Sequence, residues 1–488
     1  MSKDKCQWNS YEVRNNQKNK RFRFERCCTS FLIAIAILFG CYAFTEIAMA
    51  GDQPTLTSFT TPITYTIGGF HSKPVAMADF NRDGKADLAA TITYSGYEGI
   101  WIMLGNGDGS FQPAIRHKAR NDSSYFSDSV TVGDFNLDGI PDIAAGTLDF
   151  YGVNGRVSIL LGNGDGSFRL LTNNGLSYGD NFGSSYDRIV IGDLNKDGKP
   201  DLAIENSNNG GNGSYTISIH LGNGDGSFKP AIVYKGTWLN GAHSLVVADF
   251  NGDYIPDLTI ICYEYTLILP GKGDGTFPYY YTVHTDYGAL VTVGDFNNDN
   301  KIDLATVFGH VSILLGNGDF TFQPAINHYD TPNGITSVTV GNFNGDRNID
   351  LAITNYGGWD GVLSRWDQGV SILLSKGDGS FQPRQFYYTP SNEALSVVAG
   401  DIDSNGKPDL VVAHSIGAIS ILLNTTPQPP IDGGITPSPT ECRGIDVVMP
   451  TDVCTGICPS VVLPYARLSA ASYGDPTLPD GWRVLYNT

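Results

Sequence analysis

The sequence predicts an all-β fold: a seven-bladed β-propeller closed by the N-terminal strand, with a short Pro-rich linker and a small C-terminal tail. Three observations carry that expectation. An oxygen-rich nine-residue loop, Asp-x-Asn-x-Asp-Gly-x-x-Asp or a close variant, occurs seven times, beginning at Asp79, Asp134, Asp193, Asp249, Asp295, Asn342 and Asp401. The steps between copies are 55, 59, 56, 46, 47 and 59 residues, and a period of this size marks a repeat architecture. Short runs rich in β-branched residues flank every loop, as strands require.

The elements of one repeat follow in order. A first run precedes the loop, as in Ser129-Val-Thr-Val-Gly133 and Ser337-Val-Thr-Val-Gly341. A second begins on the last acid of the loop, as in Asp142-Ile-Ala. A third follows at Val157-Ser-Ile-Leu-Leu161, Val311-Ser-Ile-Leu-Leu315 and Val370-Ser-Ile-Leu-Leu374, and reads as a half-buried strand. Then comes Gly105-Asn-Gly-Asp-Gly-Ser-Phe111, with relatives opening at Gly162, Gly222, Gly271, Gly316 and Ser375; Asn-Gly and Asp-Gly between strands are hairpin signals. A fourth strand, usually opening Phe-Gln-Pro, completes the unit. Four strands per unit and seven units describe a propeller. The ends of the array predict how it closes. The seventh unit stops at Asn424 after Ile419-Ser-Ile-Leu-Leu423, without turn or fourth strand, while Ser58-Phe-Thr-Thr-Pro-Ile-Thr-Tyr65 stands before the first loop as a strand without a unit. Joining the two hides sheet edges that would otherwise invite aggregation. An open solenoid would need capping units, and none is evident.

The loop composition points to a metal. Side-chain oxygens at positions 1, 3, 5 and 9, with a backbone carbonyl near position 7, make the oxygen-only shell that Ca²⁺ prefers, and a Gly at position 6 allows the sharp turn. Mg²⁺ demands stricter octahedral geometry, and no His or Cys lies in any loop to favour zinc or copper. Loops one to three keep every feature: Asp79, Asn81, Asp83 and Asp87; Asp134, Asn136, Asp138 and Asp142; Asp193, Asn195, Asp197 and Asp201. Loops four and five keep the ligands (Asp249, Asn251, Asp253, Asp257; Asp295, Asn297, Asp299, Asp303) but carry Tyr254 and Asn300 at position 6. Loop six has Asn342 at position 1 and Arg347 at position 6, leaving Asn344, Asp346 and Asp350; loop seven offers Asp401, Asp403, Asn405 and Asp409. Up to seven Ca²⁺ sites are expected, loop six being the weakest. The competing reading is that Asx side chains merely bond their own backbone to make turns.

The pairing of Asp-Phe-Asn-x-Asp-Gly-x-Pro-Asp with Leu-Gly-Asn-Gly-Asp-Gly-Ser-Phe resembles the FG-GAP/VCBS repeat family, which includes the integrin alpha-subunit propeller and some secreted lectins. The likeness covers about residues 55–424. It implies a propeller with calcium in the loops on one face and a role in ligand recognition or adhesion. It implies no reaction, and calcium is then structural rather than catalytic.

Charge and compartment fit that picture. The 488-residue chain carries 31 Lys and Arg against 50 Asp and Glu. Residues 1–50 hold eight of the bases and four of the acids, which leaves 23 bases against 46 acids, 20 of the latter in the loops. Nucleic-acid binding, which wants a basic footprint, is not expected. Residues 1–50 read as a signal peptide or an uncleaved anchor: a basic stretch from Lys3 to Arg26, an apolar one from Phe31 to Phe44, and Ala48-Met-Ala50 before Gly51. The apolar stretch is short for a membrane span of roughly 20 residues, and Leu38-Phe-Gly-Cys41 distantly resembles a lipoprotein box. The protein is therefore expected to be secreted or at the cell surface, monomeric, touching a membrane through that anchor if at all.

The propeller is expected to span 51–424, a Pro-rich linker 425–440 and a tail 441–488. Cys262 reads as an inert core residue, and Cys442, Cys454 and Cys458 as one disulfide with a spare thiol. Tyr465-Ala-Arg-Leu-Ser-Ala-Ala-Ser-Tyr-Gly-Asp475 faintly resembles the opening of class-3 lipase-type domains, so the chain could be the binding part of a secreted hydrolase whose catalytic portion lies elsewhere. No catalytic residue is assigned: the eight His (His71, His117, His220, His243, His284, His310, His328, His414) are scattered. The expected function is recognition of an extracellular protein or glycan, with Trp101, Trp238 and Trp359 as candidates for stacking on sugars.

Overall fold

The computed structural model describes residues 9–13, 20–24, 56–67, 72–92, 99–117, 125–148, 156–171, 176, 188–207, 215–239, 241–242, 244–262, 265–285, 290–329, 334–360, 365–390 and 393–427. The chain divides into two units, Met1–Pro54 and Thr55–Thr488. In the first, Asn9–Val13 and Lys20–Phe24 pair as an antiparallel hairpin, within the stretch that the sequence presents only as a basic leader. Among the described residues no helix is long and apolar enough to cross a membrane. The apolar leader, most of the linker and the tail with its cysteines lie outside the described residues.

In the second unit seven antiparallel four-stranded sheets form. Blade one comprises Ser72–Ala78, Asp87–Ile92, Gly99–Met103 and Ile115–His117. Blades two to six repeat that order, opening on Tyr125–Gly133, Ile189–Gly192, Ser244–Ala248, Leu290–Gly294 and Ile335–Gly341. The first strands of successive blades contact one another all the way round, the seventh returning to the first. Seven apolar clusters fill the seams between neighbouring blades. One packs Phe80 and Ile102 of blade one on Ile143 and Leu160 of blade two, and another packs Val411 and Ile419 of blade seven on Val75 and Leu88 of blade one. The propeller is closed.

Because each sheet is covered on both faces, the inner strands do not alternate. Asp87–Ile92 and Asp409–His414 are buried throughout. So is Val311–Leu314, a third strand whose composition suggested half-burial. Alternation survives only at the outer edge, as in Ile232–Lys235.

Closure follows the expected route. Blade seven consists of Ala394–Gly400, Asp409–His414, Ala418–Leu422 and Ile63–Thr66, with Ile63 opposite Ile421 and Thr66 opposite Ala418. Two substitutions make the junction work. At other seams the Phe of the Gly-Asp-Gly-Ser-Phe turn packs on the loop Phe of the preceding blade, as in Phe168 on Phe80 and Phe228 on Phe135; here Phe59 packs on Phe343, with ring centroids 6.2 Å apart. At four other seams a turn glycine N–H donates to the carbonyl of loop position 2 in the preceding blade, as from Gly166 to Phe80 and from Gly226 to Phe135. Blade seven lacks that turn, and the Asn424 side-chain amide donates to the Phe343 carbonyl instead, at 2.9 Å. Thr425 and Thr426, which the sequence places at the start of the linker, bond to Ser58 and so belong to the closure.

Replacing Phe59 by Ala empties a half-buried aromatic position in this seam, and we expect a loss of about 2 kcal/mol. Replacing the exposed Leu56 by Ala should change stability by no more than about 0.5 kcal/mol. Urea denaturation of the two variants checks the contrast.

Candidate metal centres

Each nine-residue loop joins the first and second strands of its blade, so all seven sit at the same end of their sheets. Their geometry is built from carboxylate-to-backbone bonds. Position 9 is fully buried in every blade: Asp87, Asp142, Asp201, Asp257, Asp303, Asp350 and Asp409. One oxygen of each accepts the N–H of loop position 2. The other accepts an N–H from the chain as it leaves the third strand, at the strand's last residue in blade two and two residues past its end in the other blades. For Asp142 the donors are Phe135 and Gly162; for Asp350, Phe343 and Ser375; for Asp409, Ile402 and Asn424. The fourteen bonds span 2.6–2.9 Å.

The remaining ligand positions fold the loop onto itself. In six loops the position 1 carboxylate (Asp79, Asp134, Asp193, Asp249, Asp295, Asp401) accepts the N–H groups of positions 5 and 6 at 2.6–3.2 Å. Position 3 (Asn81, Asn136, Asn195, Asn251, Asn297, Asn344, Asp403) accepts the N–H of position 5. Position 5 (Asp83, Asp138, Asp197, Asp253, Asp299, Asp346, Asn405) accepts that of position 7. Every candidate ligand in a loop is thus drawn toward that loop's backbone. The Asx-turn reading and the metal reading are compatible here, because an ionised carboxylate has about four acceptor sites and the two or three N–H bonds that each loop carboxylate at positions 1 and 9 receives leave at least one free.

Backbone conformation explains the loop's residue preferences. Position 6 is left-handed in every copy, and Tyr254 (φ 61°), Asn300 (63°) and Arg347 (77°) adopt it as the glycines do. For Tyr254 and Arg347 this costs roughly 1–2 kcal/mol. Position 4 is left-handed too, at Arg82, Leu137, Lys196, Gly252, Asn298, Gly345 and Ser404, a constraint that the residue types there do not announce. Loop six departs as its sequence suggests: the side-chain amide oxygen of Asn342 (Oδ1) accepts the Gly345 N–H at 2.8 Å instead of gripping positions 5 and 6 with two oxygens.

Oxygen-only loops of this kind fit a calcium ion. Ca–O distances of about 2.3–2.6 Å place opposing ligands no more than about 5 Å apart. In loop seven Asp401, Asp403 and Asp409 offer oxygens all within 4.8 Å of one another. Loops one to five also carry three acids, at positions 1, 5 and 9 with an Asn amide at position 3, and among the described residues only loop seven brings three acids within that distance. Outside the shell, Lys85, Lys199 and Lys301 lie 3.4, 3.9 and 3.7 Å from the position 5 acids Asp83, Asp197 and Asp299; these partly exposed pairs contribute little.

Burial pushes the position 9 carboxyls up from 3.8, to about 6 for Asp87 and Asp303, about 7 for Asp142, Asp201, Asp257 and Asp409, and about 8 for Asp350. The neighbouring loop acids push the same way, while the two backbone donors oppose them. A cation beside these groups offsets the cost of their charge. A second acidic set, Asp108, Asp165, Asp225, Asp274, Asp319 and Asp378, lies in the Gly-Asp-Gly turns. Its carboxyls are held below the usual range by Ser or Thr hydroxyls and N–H groups two residues on, so these aspartates act as turn caps.

The histidines form no shared site among the described residues. His220 and His414 are buried, and burial takes His220 down to about 4. Cys262 is buried with its thiol pushed up to about 12, as suits an inert core residue.

A closed seven-bladed propeller with an acidic loop in each blade defines a narrow class of protein. The FG-GAP-like repeat model matches residues 79–145, 146–204, 207–260, 295–353 and 357–412, more than half of the chain, and the protein belongs to that family. Human integrin alpha-8 is 28 % identical over 224 residues, covering 43 % of this chain and 20 % of that protein. Integrin alpha-V of Gallus gallus is 26 % identical over 173 residues, covering 34 % of this chain and 16 % of that protein. The matched region thus spans a fifth or less of these curated relatives. Among solved structures, an Agrocybe aegerita lectin that recognises non-reducing terminal N-acetylglucosamine superposes with TM-score 0.47 at 21 % identity, over 65 % of this chain and 80 % of that one. BBS1N in complex with ARL6DN gives TM-score 0.47 at 12 % identity, over 76 % and 97 %.

Two expectations follow. Asp142→Asn should destabilise the protein by about 2–4 kcal/mol with or without calcium, because one amide oxygen cannot accept both N–H groups and the NH₂ faces a donor. Asp138→Asn should weaken calcium binding and leave the chelated protein unchanged; denaturation in calcium and in EDTA separates the two. The second concerns pH. The native position 9 carboxyls titrate above their unfolded value, so in EDTA their contribution is complete below about pH 4 and is lost as pH rises through 6–8. The melting temperature in EDTA should therefore fall over that window, and calcium should restore it most at the alkaline end.

Proposed function

We propose that this chain is a calcium-stabilised recognition module that works outside the cell or at its surface and binds a protein or glycan without transforming it. The observation that carries the reading is that the acidic loop recurs at the same offsets and the same end of all seven blades, six copies keeping both the gripping acid at position 1 and the buried acid at position 9. Membership of the FG-GAP-like family and likeness to integrin alpha chains support a binding role, and the leader supports export. At about 1 mM calcium and a Kd of ~10⁻⁴ M, each site stabilises by about 1.4 kcal/mol. Six independent sites reach roughly 8 kcal/mol, comparable to the whole stability of a typical domain. Calcium is then structural: it holds the surface that binds.

A screen of immobilised extracellular-matrix proteins and glycans, in calcium and in EDTA, tests the proposal. At least one ligand should be bound in calcium and lost in EDTA. Uniform absence of binding in calcium would contradict it.

A further inference from the structure

Comparing the blades with one another exposes a group of departures that converge in space. The opening of the outer strand is Phe111-Gln-Pro-Ala-Ile115, Phe228-Lys-Pro-Ala-Ile232 and Phe322-Gln-Pro-Ala-Ile326 in blades one, three and five, but Phe277-Pro-Tyr-Tyr-Tyr281 in blade four. The Gly-Asp-Gly turn has lost its second glycine in blade five, where Phe320 adopts φ 66°. A bulky residue there is strained, and such strain gathers at functional positions. At the equivalent Gly109, Gly166, Gly226, Gly275 and Gly379, a Cβ would stand 2.5–3.1 Å from a leucine of the preceding blade (Leu423, Leu104, Leu161, Leu221, Leu315). In blade four that leucine is replaced by Pro270. The exchange of leucine for proline in one blade and glycine for phenylalanine in the next is thus paired.

The rings that result touch. Phe320 stacks on Tyr281, with centroids 4.9 Å apart and planes at 15°, and Tyr281 meets Tyr279 edge to face at 5.9 Å. On the other side of the strand Tyr280 stacks on Trp238 at 5.0 Å and 19°. Even so, Tyr279, Tyr280 and Tyr281 remain 56, 44 and 40 % exposed.

We infer that the outer edge of blade four is a binding platform for a neutral polysaccharide chain, formed by Tyr279, Tyr281 and Phe320. The inference rests on the recognition role proposed above. Two considerations select the occupant. With tyrosines of about 200 Å² each, the area exposed by Tyr279 and Tyr281 is on the order of 200 Å², well short of the roughly 800 Å² per partner that a stable protein interface buries; a narrow chain fits. The platform has no cation among its residues, and the chain beyond the leader carries 46 acids against 23 bases, so an anionic polymer would be repelled. Pyranose rings present C–H faces to aromatic rings and hydroxyls to tyrosine hydroxyls, which suits amphipathic side chains held at a wet surface.

Affinity electrophoresis of the calcium-loaded protein through gels containing laminarin, xylan or mannan tests the inference. At least one should retard the protein, independently of ionic strength. Tyr281→Ala and Phe320→Gly should each weaken retardation about tenfold, the factor that ~1.4 kcal/mol carries, while the exposed Tyr388→Ala leaves it unchanged. Tyr279→Ala, which removes a ring that is 56 % exposed, should weaken retardation similarly while its melting temperature holds, so a loss of binding cannot be blamed on misfolding. Retardation that survives all three variants would overturn the platform while leaving recognition intact. No retardation, together with a calcium-dependent protein ligand in the immobilised screen, would also overturn it; silence in both assays would remove the recognition role itself.

Discussion

The structure depends on a fully buried carboxylate gripped by two backbone N–H groups, repeated once per blade. Position 9 fixes the metal loop to the end of the third strand, so the loop, the hairpin turn and the sheet between them move as one body. A charge in that place is expensive unless it is paired. Two N–H donors offset part of the cost, and the raised proton affinity of Asp142 or Asp350 shows that they do not offset all of it. On the calcium reading proposed above, a divalent ion beside the carboxylate would offset the rest. On that reading, fold and ion set are coupled through this one residue.

The same economy governs the seams. A blade presents a loop Phe or aliphatic side chain to the turn Phe of the next blade, and at four seams a loop carbonyl to a turn N–H. Where the chain must close on itself these contacts are kept and their donors changed: Phe59 for the turn ring, the Asn424 amide for the glycine N–H. Loop six, whose position 1 has become Asn342, lies beside this junction, and its Asn344 is nearly fully buried. Amide contacts there take over from acids.

Much of this was legible in the chain. Seven loops with acids at fixed offsets, a missing turn at Asn424 and an ownerless strand at Ser58–Tyr65 were enough to fix blade number and the mode of closure. The double role of position 9 was not. A carboxylate that ligates and one that clasps backbone leave the same letter in the sequence, and the partner N–H groups of Phe135 and Gly162 carry no signal of their own. Left-handed backbone at Arg82, Leu137 and Lys196 was hidden for the same reason, since it is imposed by hydrogen bonds around the loop. The third strands misled by composition: Ser158 and Ser312 suggest an open face, yet the neighbouring blades bury them. The aromatic edge of blade four was visible only as three tyrosines. Its meaning required the ring contacts with Phe320, in another blade, and with Trp238.

The coupling between carboxylates and ions is most directly tested by equilibrium unfolding across a calcium titration, with the slope of ln K against ln[Ca²⁺] giving the ions taken up on folding. Six loops keep both the position 1 and the position 9 acid, and the account expects a slope near six once calcium exceeds the site Kd. A slope near zero, with stability the same in calcium and in chelator, would contradict it.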